Sequence, residues 1–319
     1  MAHSALTAVI GEALIDLVVG ADSQVAARPG GGPYNTARTM ARLGPPAVFA
    51  GRLAADGFGR TLRSMLAADG VILGVPQPSA APTTLAVADT DPEGIASYEF
   101  YLTGTAAADL DYPALRAAVP ARVAAVHVGT LGLVMEPIAT SVERLIGQDM
   151  PPDVLVMVDP NCRPAVIADK EAYLVRLRHI LRRADVIKVS TEDLGYLCPG
   201  VPAEDAAVAL RGHEGAAVVV TDGPRPARAF LPGTKLQAEV PRMPVVDTIG
   251  AGDAFGGAFL AWWTGNGLGR ADLTDLDAVR GAIQAAIYAS VVTCTRRGAE
   301  PPWAYELAGH DGWRWLPPA

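Results

Sequence analysis

Short apolar runs recur at residues 124–128, 154–158, 186–190 and 216–220, with helix-length segments such as 136–147 between them. That rhythm limits the fold more than any other feature. Strands alternating with helices pair in parallel, and the crossover helices cover both faces of the sheet. Ligands of such sheets bind beyond the carboxyl ends of the strands. Polar residues just after one such run, Asp159, Asn161 and Arg163, are therefore the first candidates for chemistry.

A further junction lies at residues 246–257, which read Val-Asp-Thr-Ile-Gly-Ala-Gly-Asp-Ala-Phe-Gly-Gly. Val245 and Val246 read as a strand end, Gly250 and Gly252 as a tight turn, and the run after Asp253 as a buried helix. A glycine turn opening a helix presents N–H groups that no helical carbonyl satisfies, and these with the helix dipole form an anion site. A carboxylate in that first turn is awkward beside a phosphate unless it works there. Its natural work is to take the proton of a hydroxyl that attacks the phosphate. The plain alternative is a strand-to-helix turn with Asp253 as a helix-start charge. The dinucleotide-binding spacing fails, because Gly256 falls one residue late, and no Gly-x-x-x-x-Gly-Lys-Ser/Thr loop occurs.

The stretch resembles the second signature of the ribokinase-like (PfkB) sugar kinases. Residues 30–44, with Gly31, Gly32 and Asn35 ahead of a small-residue helix ending at Leu43 and Gly44, are similar to the first. The resemblance spans about residues 8–302 and implies one domain over 1–319. That domain would be a three-layer α/β/α unit with a mostly parallel central sheet and a small β-sheet lid, inserted at about 12–26 and 82–104. The aromatic-rich run at 96–102, set off by the turn residues 91–94, fits such a hairpin. It further implies transfer of the ATP γ-phosphoryl group to a sugar hydroxyl. Asp253 would be the base, Gly250, Ala251 and Gly252 the anion hole, and Arg163 a charge on the phosphate.

Asp16, Gly31, Gly32 and Asn35 would hold the sugar, with Glu136, which also follows a strand end, as a weaker candidate. Ser190, Thr221, Gly223 and Gly252 would border the nucleotide. Magnesium would be reached through water by Asp193, where relatives carry a longer glutamate. Potassium would sit near Asp247. From the residues alone, Ser190 reads as a helix cap, Asp247 as a turn cap, and Arg163 as a partner for Asp159. Pro224, Arg225 and Pro226 depart from the family's loop.

The wordings Gly-Glu-Ala-Leu-Ile-Asp at 11–16, Gly-Gly-Gly-Pro at 30–33 and Asp-Pro-Asn-Cys-Arg at 159–163 resemble bacterial fructokinases, which makes fructose the expected acceptor. The alternatives are 2-keto-3-deoxygluconate, another sugar or nucleoside, or a family-like protein that binds without catalysis. Lids in this family also carry homodimer contacts.

Composition excludes other classes. The net charge of −8, from 26 basic and 34 acidic residues, argues against nucleic acid as a partner. The three cysteines are scattered, which fits a reducing compartment rather than a disulfide framework or a zinc site. Glu12 and Asp16 interrupt the early apolar run, against a signal peptide, and no run reaches membrane-span length. A cytoplasmic location is expected.

Overall fold

The computed structural model describes residues 6–20, 24–90, 96–310 and 313. The turn expected at 91–94 and most of the tail after His310 lie outside them. The strands are β1 (Thr7–Ile10), β2 (Leu14–Val19), β3 (Val25–Gly30), β4 (Ala47–Ala50), β5 (Ile72–Leu73), β6 (Leu85–Thr90), β7 (Ala96–Tyr101), β8 (Ala125–Gly129), β9 (Leu155–Asp159), β10 (Val186–Ser190), β11 (Ala217–Asp222), β12 (Arg225–Leu231) and β13 (Thr234–Ala238).

Among the described residues, nine strands form one sheet in the order β13-β12-β11-β10-β9-β8-β1-β4-β5. It is parallel from β5 to β11 and antiparallel at the β11–β12–β13 edge. β1 shows why its central strands are mostly apolar. Val9 enters one core layer, Ala8 and Ile10 the other, and all three are fully buried. The first layer is covered by the helices Gly32–Arg42, Gly57–Ala68, Ala251–Gly265 and Leu276–Cys294. The second is covered by Tyr112–Ala118, Ile138–Arg144, Lys170–Leu181, Thr191–Leu197 and Ala203–Ala209.

The chain builds outward from β1 in opposite directions, to β4 and β5 on one side and to β8 onward on the other. The crevice beyond the ends of β1 and β8 is therefore the switch point where ligands of open α/β sheets bind. A second sheet, β3-β2-β6-β7, rises from that place. This is a small β-sheet lid of the expected kind, with β2, β6 and β7 inside 12–26 and 82–104 and β3 running on to Gly30. The chain turns out of the main sheet after Ile10, and β2 belongs to the lid. Glu12 fills the corner with no exposed surface.

The valines before Gly250 do not end a strand. Val245 and Val246 are 67% and 56% exposed, in a loop. The unusual residues 223–226 have a simple cause. Gly223 and Pro224 form a two-residue hairpin loop between β11 and β12, with Gly223 at φ 54°. Trp313 is fully buried, and its indole N–H donates to the Ala285 carbonyl at 3.1 Å, which ties the tail to the helix Leu276–Cys294. No helix among the described residues is long and apolar enough to cross a membrane.

Candidate active site

The helix Ala251–Gly265 starts from Gly250, whose φ of 77° is left-handed. A Cβ there would stand 2.4 Å from the Ala299 methyl, so the turn requires glycine twice over. The Ala251 N–H bonds the Thr248 carbonyl at 3.2 Å, which takes it out of the expected anion hole. The N–H groups of Gly252 and Asp253 have no acceptor among the described residues, and they remain for an anion.

Asp253 lies in that turn, 9% exposed. Its Oδ2 accepts from Asn35 Nδ2 at 2.8 Å, and its backbone carbonyl accepts from Thr36 Oγ1 at 3.3 Å. Oδ1 carries no hydrogen bond and lies 3.3 Å from where a Cβ of Gly32 would be. Burial pushes the Asp253 carboxyl above the ordinary aspartate range, and Asn35, Lys188 and Arg163 pull it back. Asn35 Oδ1 is buried without a partner, an acceptor left open in the crevice.

Asn35 is held by the helix Gly32–Arg42, whose far end is clamped by Arg38 and Arg42 on the buried Asp69, at 2.6 and 2.8 Å. This helix touches Ala251–Gly265 backbone to backbone at Gly257. A Cβ there would lie 2.7 Å from the Thr36 carbonyl oxygen and 2.7 Å from Thr39 Cβ. Gly31 caps the first helix at φ 107°, against the Glu12 carbonyl. Glu12 accepts from the Gly32 N–H with one oxygen and from the Gly132 N–H with the other, both at 3.1 Å. Burial raises its carboxyl to about 7.

Asp16 on β2 stands opposite Arg28 on β3, beside Gly30. Burial first, then the nearby charge of Asp253, raises Asp16 to about 6, while Arg163 and Arg28 lower it. Arg163 does not pair with Asp159. Its Nη1 folds onto Asn161 Oδ1 at 2.7 Å and onto the Asn161 and Cys162 carbonyls. Asp159 bonds Lys188 at 2.9 Å instead. Asn161 and Thr130 both adopt left-handed backbone, at φ 38° and 52°, and bond each other at 3.3 Å. For a β-branched threonine that is strain, of the kind held at functional sites.

Asp16, Gly31, Gly32, Asn35, Arg163, Gly250, Gly252 and Asp253 thus gather around one crevice. Ser190 and Thr221 are register partners at the ends of β10 and β11, with Gly223 just beyond. The remaining candidates are engaged elsewhere. Glu136 is half-exposed, accepts from the Thr140 N–H and pairs with Arg176, so it serves as a helix start. Asp193 accepts from the Cys162 and Ser190 N–H groups and from Ser190 Oγ, at 2.7–2.9 Å, closing a capping box. Asp247 accepts from the Ile249 and Gly298 N–H groups, at 3.1 and 2.8 Å, with Arg28 3.6 Å away.

Sequence reading missed Glu12, Arg28, Thr130 and Lys188. Only Glu12 and Lys188 left a signal, as single charges inside apolar runs.

Known proteins resemble the chain along most of its length. The family model described as pfkB family carbohydrate kinase matches residues 4–304. A fructokinase of Rhizobium leguminosarum bv. trifolii is 32% identical, covering 79% of this chain and 77% of its own length. Fructokinase-1 of Oryza sativa subsp. japonica is 32% identical over 96% of each chain. The crystal structure of fructokinase with bound ATP from Xylella fastidiosa superposes with a TM-score of 0.83 at 26% identity, covering 92% of this chain and 93% of that one.

Proposed function

Since the chain belongs to the pfkB family of carbohydrate kinases and is an ATP-dependent sugar kinase, we propose that its acceptor is fructose. Full-length similarity to proteins named fructokinase supports the sugar. One observation carries the mechanism: Asp253 Oδ1 stands free beside Gly32 while Oδ2 is held by Asn35, next to two unused N–H groups.

Asp253 Oδ1 takes the proton of the attacking hydroxyl. Asn35 fixes the carboxylate and offers Oδ1 to the sugar. Asp16 and the backbone at Gly31 and Gly32 line the rest of the sugar crevice. The N–H groups of Gly252 and Asp253 hold oxygens of the transferring group, and the free side of the Arg163 guanidinium neutralises charge there. The lid above the crevice excludes water, the competing acceptor.

No group of three His, Cys, Asp or Glu residues able to hold a metal occurs among the described residues. With Asp193 engaged by N–H donors, magnesium enters with ATP as the substrate complex. The surroundings of Asp247 do not fit potassium either. Both carboxylate oxygens accept N–H groups, and the Arg28 guanidinium already supplies the positive charge.

Arg28 also favours a second reading. A cation across from Asp16 suits an acidic acceptor such as 2-keto-3-deoxygluconate.

ADP production from Mg–ATP across a sugar panel, in sodium and in potassium buffers, tests these points. Turnover with fructose alone supports the proposal, and turnover with the keto-acid alone supports the second reading. Sugar binding without turnover on any acceptor overturns both. Stimulation by potassium overturns the view of Asp247.

A further inference from the structure

Directly beneath the anion turn lies a lysine with no assigned role. Lys188 sits in the middle of β10, 3% exposed. A Cβ added at Gly252 would lie 2.8 Å from its Nζ and 3.8 Å from its Cε, so the ammonium touches the floor of the turn. One N–H bonds Asp159 Oδ2 at 2.9 Å, and the others have no acceptor among the described residues. Asp159 Oδ1 is buried without a donor. Lysine is almost never fully buried, and a buried ion pair kept for stability alone is expected to satisfy its remaining donors and acceptors. This pair is satisfied on one side only, and its open side lies under Gly252.

We propose that Lys188 is a positioning residue for phosphoryl transfer. Its fixed charge below the Gly250–Gly252 turn keeps Asp253 ionised and reinforces the N–H groups of Gly252 and Asp253, where negative charge gathers. The inference rests on the role proposed for Asp253. It also explains why Gly252 is glycine although its backbone needs no left-handed angle: any side chain would displace the ammonium.

The charge balance supports it. Asp253 is surrounded by Glu12 from the corner after β1, Asp16 from β2, Asp159 from β9, and Asn35 from the first helix. Of these groups three are acidic. Lys188 from β10 and Arg163 from the loop after β9 are the cations that pull its proton affinity down. His127, buried below Gly256 without hydrogen-bond partners, is held neutral by burial and by Lys188, so it adds no charge.

The test is the pH dependence of kcat/KM, followed by ADP production for wild type, Lys188→Met, Lys188→Arg and Asp159→Asn. Lys188→Met should lower kcat at least about tenfold and move the acid limb up by about one pH unit, as loss of a nearby charge at protein dielectric requires. Lys188→Arg keeps the charge, so its acid limb should stay in place even where the larger head costs rate. Asp159→Asn removes a neighbouring negative charge and should move the limb down. It also keeps the idea testable if Lys188→Met does not fold. Folded variants whose acid limbs coincide with wild type would overturn the inference. If Asp253→Asn retains normal turnover, the proposed site fails instead, and the two failures are distinct.

Discussion

Replacing Asp253 with asparagine separates chemistry from stability. The amide oxygen keeps the 2.8 Å bond from Asn35, which turns the new NH₂ toward the position of Oδ1. A donor then faces the hydroxyl that must lose its proton. The Gly252 N–H and the turn remain, so only the base is lost. A positioned base contributes about 10²–10⁴ in rate, or about 3–5 kcal/mol of barrier. The loss should fall on kcat, with KM for the sugar nearly unchanged.

Stability should move the other way. Burial raises the Asp253 carboxyl, so the folded state binds this proton more tightly than the unfolded chain does. Its contribution is complete at low pH and is lost as pH rises through the folded value. Asparagine has no such slope. The variant should therefore melt at a higher temperature relative to wild type at pH 8 than at pH 4.5. Thermal melts at both pH values and single-turnover ADP formation read the two arms. Turnover within a few-fold of wild type would refute the base assignment. A stability gap that narrows with pH would refute the account of the buried charge.

Three further outcomes follow from neighbouring groups. Glu12 rises from 4.5 to about 7, and Asp16 and Asp159 rise to about 6, all chiefly by burial. The ligand-free protein should lose stability as pH rises from about 4.5 to 7, with Glu12 alone contributing up to about 3 kcal/mol; a melting temperature that climbs through that window contradicts this. Gly250→Ala forces a side chain into left-handed backbone, at about 1–2 kcal/mol, and against Ala299. It should lower both the melting temperature and kcat, the latter at least about tenfold, and wild-type behaviour in both assays would show the turn to be tolerant. Glu136→Ala removes an exposed ion pair and a helix-start bond, so kcat/KM should stay within about threefold, with stability changed by about 1 kcal/mol or less; a tenfold loss would return Glu136 to the sugar site.

The parts of the site that were legible in the sequence are those set by local backbone demands. The glycines at 250 and 252 and the Gly31–Asn35 helix start announce their geometry within a few residues. The sheet followed from strand–helix alternation and one hairpin from a pattern out of rhythm with it, whereas the lid was implied only by the family resemblance. What stayed hidden depends on packing between distant segments. Nothing near Lys188 in sequence reveals that Gly252 will sit on it. Nothing near Asp193 reveals that the Cys162 N–H will take one of its oxygens. A serine three residues before an acid fits both a capping box and a metal-linked motif, and the structure forms the capping box. Glu12 looked like a charge that breaks an apolar leader, whereas it ties two loops from either side of the switch point.

The contact at Gly257 has a consequence for how such a chain tolerates change. Asn35 and Asp253 are 218 positions apart, yet their helices meet at bare backbone. Their spacing is set by that meeting rather than by the length of chain between them. Insertions and deletions in the outer loops of that long interval can therefore accumulate without disturbing the 2.8 Å pairing. One added methyl at Gly257 reaches it at once. Over many generations, length between the two motifs is the freer variable, and a single small side chain is the constrained one.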